Sequence, residues 1–124
     1  MSAAAGVLIA GAAGAICRYL LDGAIQDRWS GPFPMGTFAI NVSGSLALGG
    51  LAGFLSHHAA VSQDVRIIVG VGFLGAYTTF STLAYETLRL AREGARAYAL
   101  LNMIGSIAAG LGAASLGFWA GGNL

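Results

Sequence analysis

Gly72, Gly75, Thr78, Thr79, Ser81 and Thr82 crowd into one stretch, GFLGAYTTFSTLAYE, within an apolar run that carries no charge between Arg66 and Glu86. The run is about long enough to cross a bilayer, yet its middle gives up apolar bulk. Glycine costs roughly 1 kcal/mol against alanine inside a helix, and threonine somewhat less. Their clustering marks a place where a helix unwinds. Unwound backbone at membrane depth is tolerated only where protein buries it or a watery cavity meets it. There it offers carbonyl oxygens to cations and N–H groups to anions. The neighbouring hydroxyls add donors and acceptors without fixed charge. Such chemistry suits an ion site rather than an acid–base catalyst.

Two asparagines belong to the same class of signal. Asn41 lies on a line with Ser45, Gly49 and Gly53, and Asn102 on a line with Tyr98, Ser106, Gly110 and Ala114. Residues four apart share a helix face. A buried amide without a partner costs about 1–3 kcal/mol, so each needs a reason: gluing two helices together, or meeting a ligand. Serine satisfies itself on its own helix, so Ser45 and Ser106 alone mean little.

Catalytic chemistry has less to work with. His57 and His58 sit together in a polar stretch and read as solvated loop residues. There are no paired carboxylates at mid-span and no phosphate-binding loop. Cys17, the single cysteine, reads as a buried thiol in a small-residue helix and supports neither a disulfide nor a metal site.

The elements that must position these residues follow from composition. The 124 residues are 56% hydrophobic and 9% charged, with a mean hydropathy of +0.75. Soluble domains carry roughly a quarter charged residues. Apart from Arg18 and Asp22, the charges gather at 27–28, 64–66 and 86–96. The uncharged runs between them predict a single all-α transmembrane domain over 1–124, with helices at about 4–25, 36–56, 65–90 and 97–120. Both termini then lie on one side. The opening MSAAAGVLIAGAAGA lacks the basic region of a signal peptide and reads as a retained first helix. A β-barrel needs many short alternating segments and is excluded by the continuous runs. A net charge of +1 gives no footprint for nucleic acid. The glycines, as in Gly6, Ala10, Gly14 and Arg18 on the first helix, predict close backbone packing.

GAICRYLL, GTFAINVSGSLALG and GFLGAYTTFSTLAYE, followed by a fourth helix with Tyr98, Asn102 and Ser106, resemble the Fluc (CrcB) fluoride channel family over essentially the whole chain. The glycine–phenylalanine–threonine run is the specific part. The resemblance implies a dimer of subunits inserted in opposite orientations, with two fluoride pores. It implies a central sodium ion, structural and not conducted, on the backbone carbonyls of Gly75 and Thr78 from both subunits. It places Asn41 and Phe80 in the pore, Asn102 and Ser106 on a polar track of the fourth helix, and Thr79 and Ser81 beside them. Fluoride is small and strongly hydrated, so many weak donors must replace its water. A phenylalanine ring has a positive edge and meets an anion without trapping it. The implied work is passive escape of cytoplasmic fluoride across the inner (plasma) membrane, with lipid around the chain and no enzymatic step.

One position departs from the family pattern: the second phenylalanine, three residues after the first, is here Leu83. Either the pore works with one ring per subunit or the subunit works beside a different partner. Arg28, Arg89, Arg92 and Arg96 fall on one expected side and only Arg66 on the other. This bias favours termini outside by the positive-inside rule. A homodimer of dual topology and a heterodimer with a related subunit both remain open. A small multidrug transporter, also four short helices, needs a mid-membrane acid. The first helix has none in GAAGAIC, and Glu86 is the nearest substitute, at the edge of the third helix. A scaffolding subunit has no need of the hydroxyl-rich break or of Asn41.

Overall fold

The computed structural model describes residues 2–124. All regular structure among them is helical. Four helices are long and apolar enough to cross a membrane: α1 (Ala3–Gln26), α2 (Met35–Ser56), α3 (Gln63–Arg92) and α4 (Arg96–Gly122).

Local chemistry sets the ends. Ser2 caps α1 by accepting from the Ala5 N–H at 3.2 Å. Pro34 stands at the N-cap of α2, where its missing N–H costs nothing. Ser62 accepts from the Val65 N–H at 3.3 Å, so α3 opens before the apolar run begins. Its far end closes on Gly94, whose φ of +82° suits a residue without Cβ. The Ala95 N–H reaches Leu90 O at 2.9 Å and the Gly94 N–H reaches Ala91 O at 3.2 Å, the paired bonds of a Schellman stop. That stop turns the chain directly into α4.

Two helices depart from regular α geometry. Residues Ile67–Leu74 of α3 and Leu101–Gly105 of α4 run as wide π-turns, a distortion that recurs at functional sites. Helix α3 is then interrupted. Thr78 (φ −80°, ψ 158°) and Thr79 (φ −149°, ψ 121°) are extended, and the helix restarts over Phe80–Arg92. The unwinding expected of the glycine–threonine cluster falls on these two residues.

The helices pack by backbone. The most extensive contact is α2 against the second half of α4. A Cβ on Gly49 would strike the Ala114 carbonyl and one on Gly53 the Phe118 carbonyl. From the other side, Gly117 lies on Leu46 O and Gly121 on Gly50 O. Helix α1 packs on the first half of α3 in the same way, with Gly14 against the Phe73 carbonyl. Large apolar side chains meanwhile point outward, among them Leu8, Tyr19, Leu111 and Trp119. In water this inversion would be costly; against lipid it is the favourable arrangement.

The thiol of Cys17 is a correction to the sequence reading: it is exposed, not buried. Helix α1 buries only Gly6 and Gly14, and many of its large apolar side chains, Leu8, Ile9, Ile16, Tyr19 and Leu20 among them, stay outside.

Candidate functional site

The break in α3 leaves helix ends in the middle of a span, and each orphaned group has a specific fate. Asn41 of α2 handles two of them. Its Nδ2 donates to Thr79 O at 2.8 Å, and its Oδ1 accepts the Thr79 N–H at 2.8 Å. One side-chain amide thus replaces the helical partners of an extended residue. Gly44, one turn on, makes room: a Cβ there would collide with Thr78 Cγ2. Thr79 also caps the restarted helix, its Oγ1 accepting the Thr82 N–H at 3.3 Å.

The end of the first half is treated differently. Arg18 of α1 donates from Nε to Ala76 O at 3.2 Å, placing a cation at a helix C-terminus where the dipole favours it. The carbonyl of Gly75 would ordinarily receive the Thr79 N–H, but that donor has gone to Asn41. The carbonyl of Thr78 would receive the Thr82 N–H, which has gone to Thr79 Oγ1. The break therefore removes the helical donors of two carbonyls in the same turn.

Beside it lies a groove of about 360 Å³ between α2, the break and α4, whose lining side chains carry no charge. Asn41, Thr79, Phe80 and Ser106, picked out in the sequence, all line it, together with Ser45 and Leu83. The Phe80 ring is 67% exposed, standing at the mouth rather than in the packed interior. Leu83 is buried and forms part of the groove's apolar wall.

Two of the expected residues lie elsewhere. Ser81 is exposed and outside the groove lining, tied to it through Thr79 Oγ1 at 3.2 Å. Asn102 is 0% exposed; it sits behind Ser106 and donates to Thr87 Oγ1 at 2.9 Å. Asn102 and Ser106 are neighbours on α4, with Ser106 Oγ 3.5 Å from Asn102 Oδ1, and of the two Ser106 lines the groove.

The structure also brings together residues that no sequence pattern linked. Thr37 of α2 donates to Glu86 Oε1 at 2.8 Å, and Glu86 Oε2 is buried without a partner. Glu86 is thus buried against the first turn of α2. Their separation of 49 residues in sequence leaves no local signal. His58 stacks on Phe54 with centroids 3.9 Å apart and its carbonyl accepts from Arg66 Nη2 at 3.0 Å, a structural role in the α2–α3 loop.

An uncharged groove lined by an amide, hydroxyls and an aromatic ring can replace the hydration of a small ion without holding it by a countercharge. The comparisons with known proteins bear on which ion. A family model described as CrcB-like protein, Camphor Resistance (CrcB), matches residues 5–118. The chain is 52% identical over 114 residues to fluoride-specific ion channel FluC 1 of Streptomyces avermitilis, covering 91% of each chain. It is 47% identical over 116 residues to FluC 1 of Leifsonia xyli subsp. xyli, covering 94% of this chain and 84% of the relative. It is 41% identical over 114 residues to FluC 2 of Mycobacterium tuberculosis, covering 92% and 86%.

Proposed function

The chain belongs to the CrcB family, a family of ion channels rather than enzymes, and we propose that it conducts fluoride, letting the cytoplasmic anion leave passively through a multi-pass protein of the plasma membrane. The observation that carries this reading is the uncharged groove at the break, where Asn41, Thr79, Phe80 and Ser106 converge. An arginine in the groove lining would hold an anion too tightly to pass it on; Arg18 lies outside that lining, on Ala76 O. Hydrogen fluoride enters neutral and dissociates inside. The membrane potential then drives the anion out, by about 2.3 kcal/mol per 100 mV, and no energy-coupled step is required. With the family known, the small multidrug reading falls away, and Glu86 has no proton-coupling role to fill.

We further propose a structural sodium ion on the carbonyls of Gly75 and Thr78. The residues fit: those two oxygens have lost their helical donors to Asn41 and Thr79, and a hard cation takes oxygen ligands. One chain offers two such carbonyls, so a second copy, inverted, completes the set. An antiparallel homodimer is accordingly the assembly we favour. A specific observation favours a second reading, a heterodimer with a related subunit. Arg28, Arg89, Arg92 and Arg96 lie towards one side, and the relatives carry the distinct names FluC 1 and FluC 2.

The test is fluoride efflux from liposomes holding only this purified chain, with chloride as the control. Fast, fluoride-selective efflux supports a homomeric channel and shows that Leu83 suffices where a second ring would stand. Folded protein without efflux rules the homodimer out and turns the search to a partner of opposite charge bias.

A further inference from the structure

Behind the groove, donor arithmetic fixes the orientation of one amide. Thr87 Oγ1 donates to Leu83 O at 2.7 Å, which commits its only proton. Toward Asn102 it can then only accept, and it does so from Nδ2 at 2.9 Å. Oδ1 is left facing Ser106, whose Oγ lies 3.5 Å away. The residue that holds the amide lies on α3 and the residue that receives it lies on the groove wall of α4.

Ser106 differs from three other helix serines of this chain and resembles Ser81, whose Oγ meets Thr79 Oγ1 at 3.2 Å. Ser43 donates to Ile40 O at 3.1 Å, Ser56 to Gly53 O at 2.6 Å and Ser115 to Leu111 O at 2.8 Å. Each has returned its proton to its own backbone, the default for serine in a helix. Ser106 instead points its proton at Asn102 Oδ1, at the outer limit of a hydrogen bond. A proton on so long a bond is readily given up; one on a carbonyl at 2.6–2.8 Å is not.

Resting on the anion-channel reading above, we propose that Asn102 is a positioning residue: it keeps the Ser106 proton on a weak acceptor and off the helix backbone, so that an anion in the groove takes it at little cost. Asn102 touches no ion. It acts through Ser106, and Thr87 holds it in the orientation that lets it act.

The experiment is fluoride efflux from liposomes carrying Asn102→Leu, Ser106→Ala or both, with wild type alongside. A hydrogen bond to a charged partner is worth enough that each single variant should lower efflux by about tenfold. The double variant should be no slower than Ser106→Ala, because Asn102 has no other route to the ion. A double variant slower by the full Asn102→Leu factor overturns the inference, as does wild-type speed in either single variant. In both cases the channel itself stands. If Asn102→Leu does not fold, Thr87→Val releases the amide instead. Its efflux should fall in the presence of Ser106 and show no further fall with Ser106→Ala, and Thr87→Ser, which keeps the accepting oxygen, should lie closer to wild type. A Thr87→Val variant at wild-type speed overturns the inference. Wild-type liposomes without fluoride efflux would remove the channel reading, and this inference with it.

Discussion

At Asn41 a single amide holds both the N–H and the C=O of Thr79, so its two ends are separable by substitution. Asn41→Asp keeps the acceptor for the Thr79 N–H and loses the donor to Thr79 O. It also brings a negative charge to a groove meant for an anion. We expect folded protein by size-exclusion chromatography, with fluoride efflux lowered by about tenfold or more, since like charges in a poorly screened site repel strongly. Asn41→Ala loses both bonds and should cost about 2–6 kcal/mol, at 1–3 kcal/mol for each unsatisfied backbone group, measured by denaturation in detergent. Phe80 is the opposite case. Its ring is 67% exposed, so Phe80→Ile should change stability by under about 0.5 kcal/mol, as exposed substitutions do. Efflux should nevertheless fall, because an isoleucine has no positive edge to offer. Stability lost together with efflux would make Phe80 a packing residue.

The glycines matter at the scale of the elements, and they are not equivalent. A Cβ at Gly117 would meet Leu46 O and Gly50 N, whereas one at Gly112, in the same helix, meets nothing within 4 Å. Gly117→Ala should therefore destabilise by about 1–3 kcal/mol, the usual cost of overpacking. Gly112→Ala should stabilise by up to about 1 kcal/mol through helix propensity. Paired unfolding curves in one detergent check both signs at once. The four spans were legible from their uncharged runs, and the interruption of α3 from its glycines and threonines. Its placement at Thr78 and Thr79 was not, because Asn41, 38 residues away, decides which N–H leaves the helix. Four-residue spacing made Asn102 legible as a neighbour of Ser106, and their side chains do meet; its complete burial was not legible. Thr87, the anchor for Asn102, carried no signal of its own, nor did Thr37, the partner of Glu86.

For the whole molecule, the open matter is how many orientations the chain adopts. The arginine-rich end, where α3 turns into α4 at Gly94, and the α2–α3 loop at Ser62 lie at opposite ends of the bundle. A reporter cysteine at Ser62, in a Cys17→Ser background, reads this directly. The antiparallel homodimer requires a membrane-impermeant thiol reagent, applied to intact cells, to label about half of the copies. Labelling of nearly all copies or of almost none would mean one orientation, and a second chain to complete each pore. Removing sodium tests another part of the same assembly. If Gly75 and Thr78 carbonyls share a sodium ion, the purified protein should unfold at a lower temperature in a large organic cation than in sodium at equal ionic strength, because an ion bound only by the folded state stabilises it.

The interlocked backbones of α2 and α4 have a consequence for motion. Gly49, Gly53, Gly117 and Gly121 have no rotamers to lose, so joining these helices costs almost no side-chain entropy and leaves few side-chain fluctuations in the seam. That side of the groove should be quiet on the picosecond-to-nanosecond scale where exposed side chains hop between wells. The Phe80 ring, free of such packing, should supply most of the fast fluctuation in the groove's width. Deuterium or methyl relaxation measurements would find a still wall facing a moving ring.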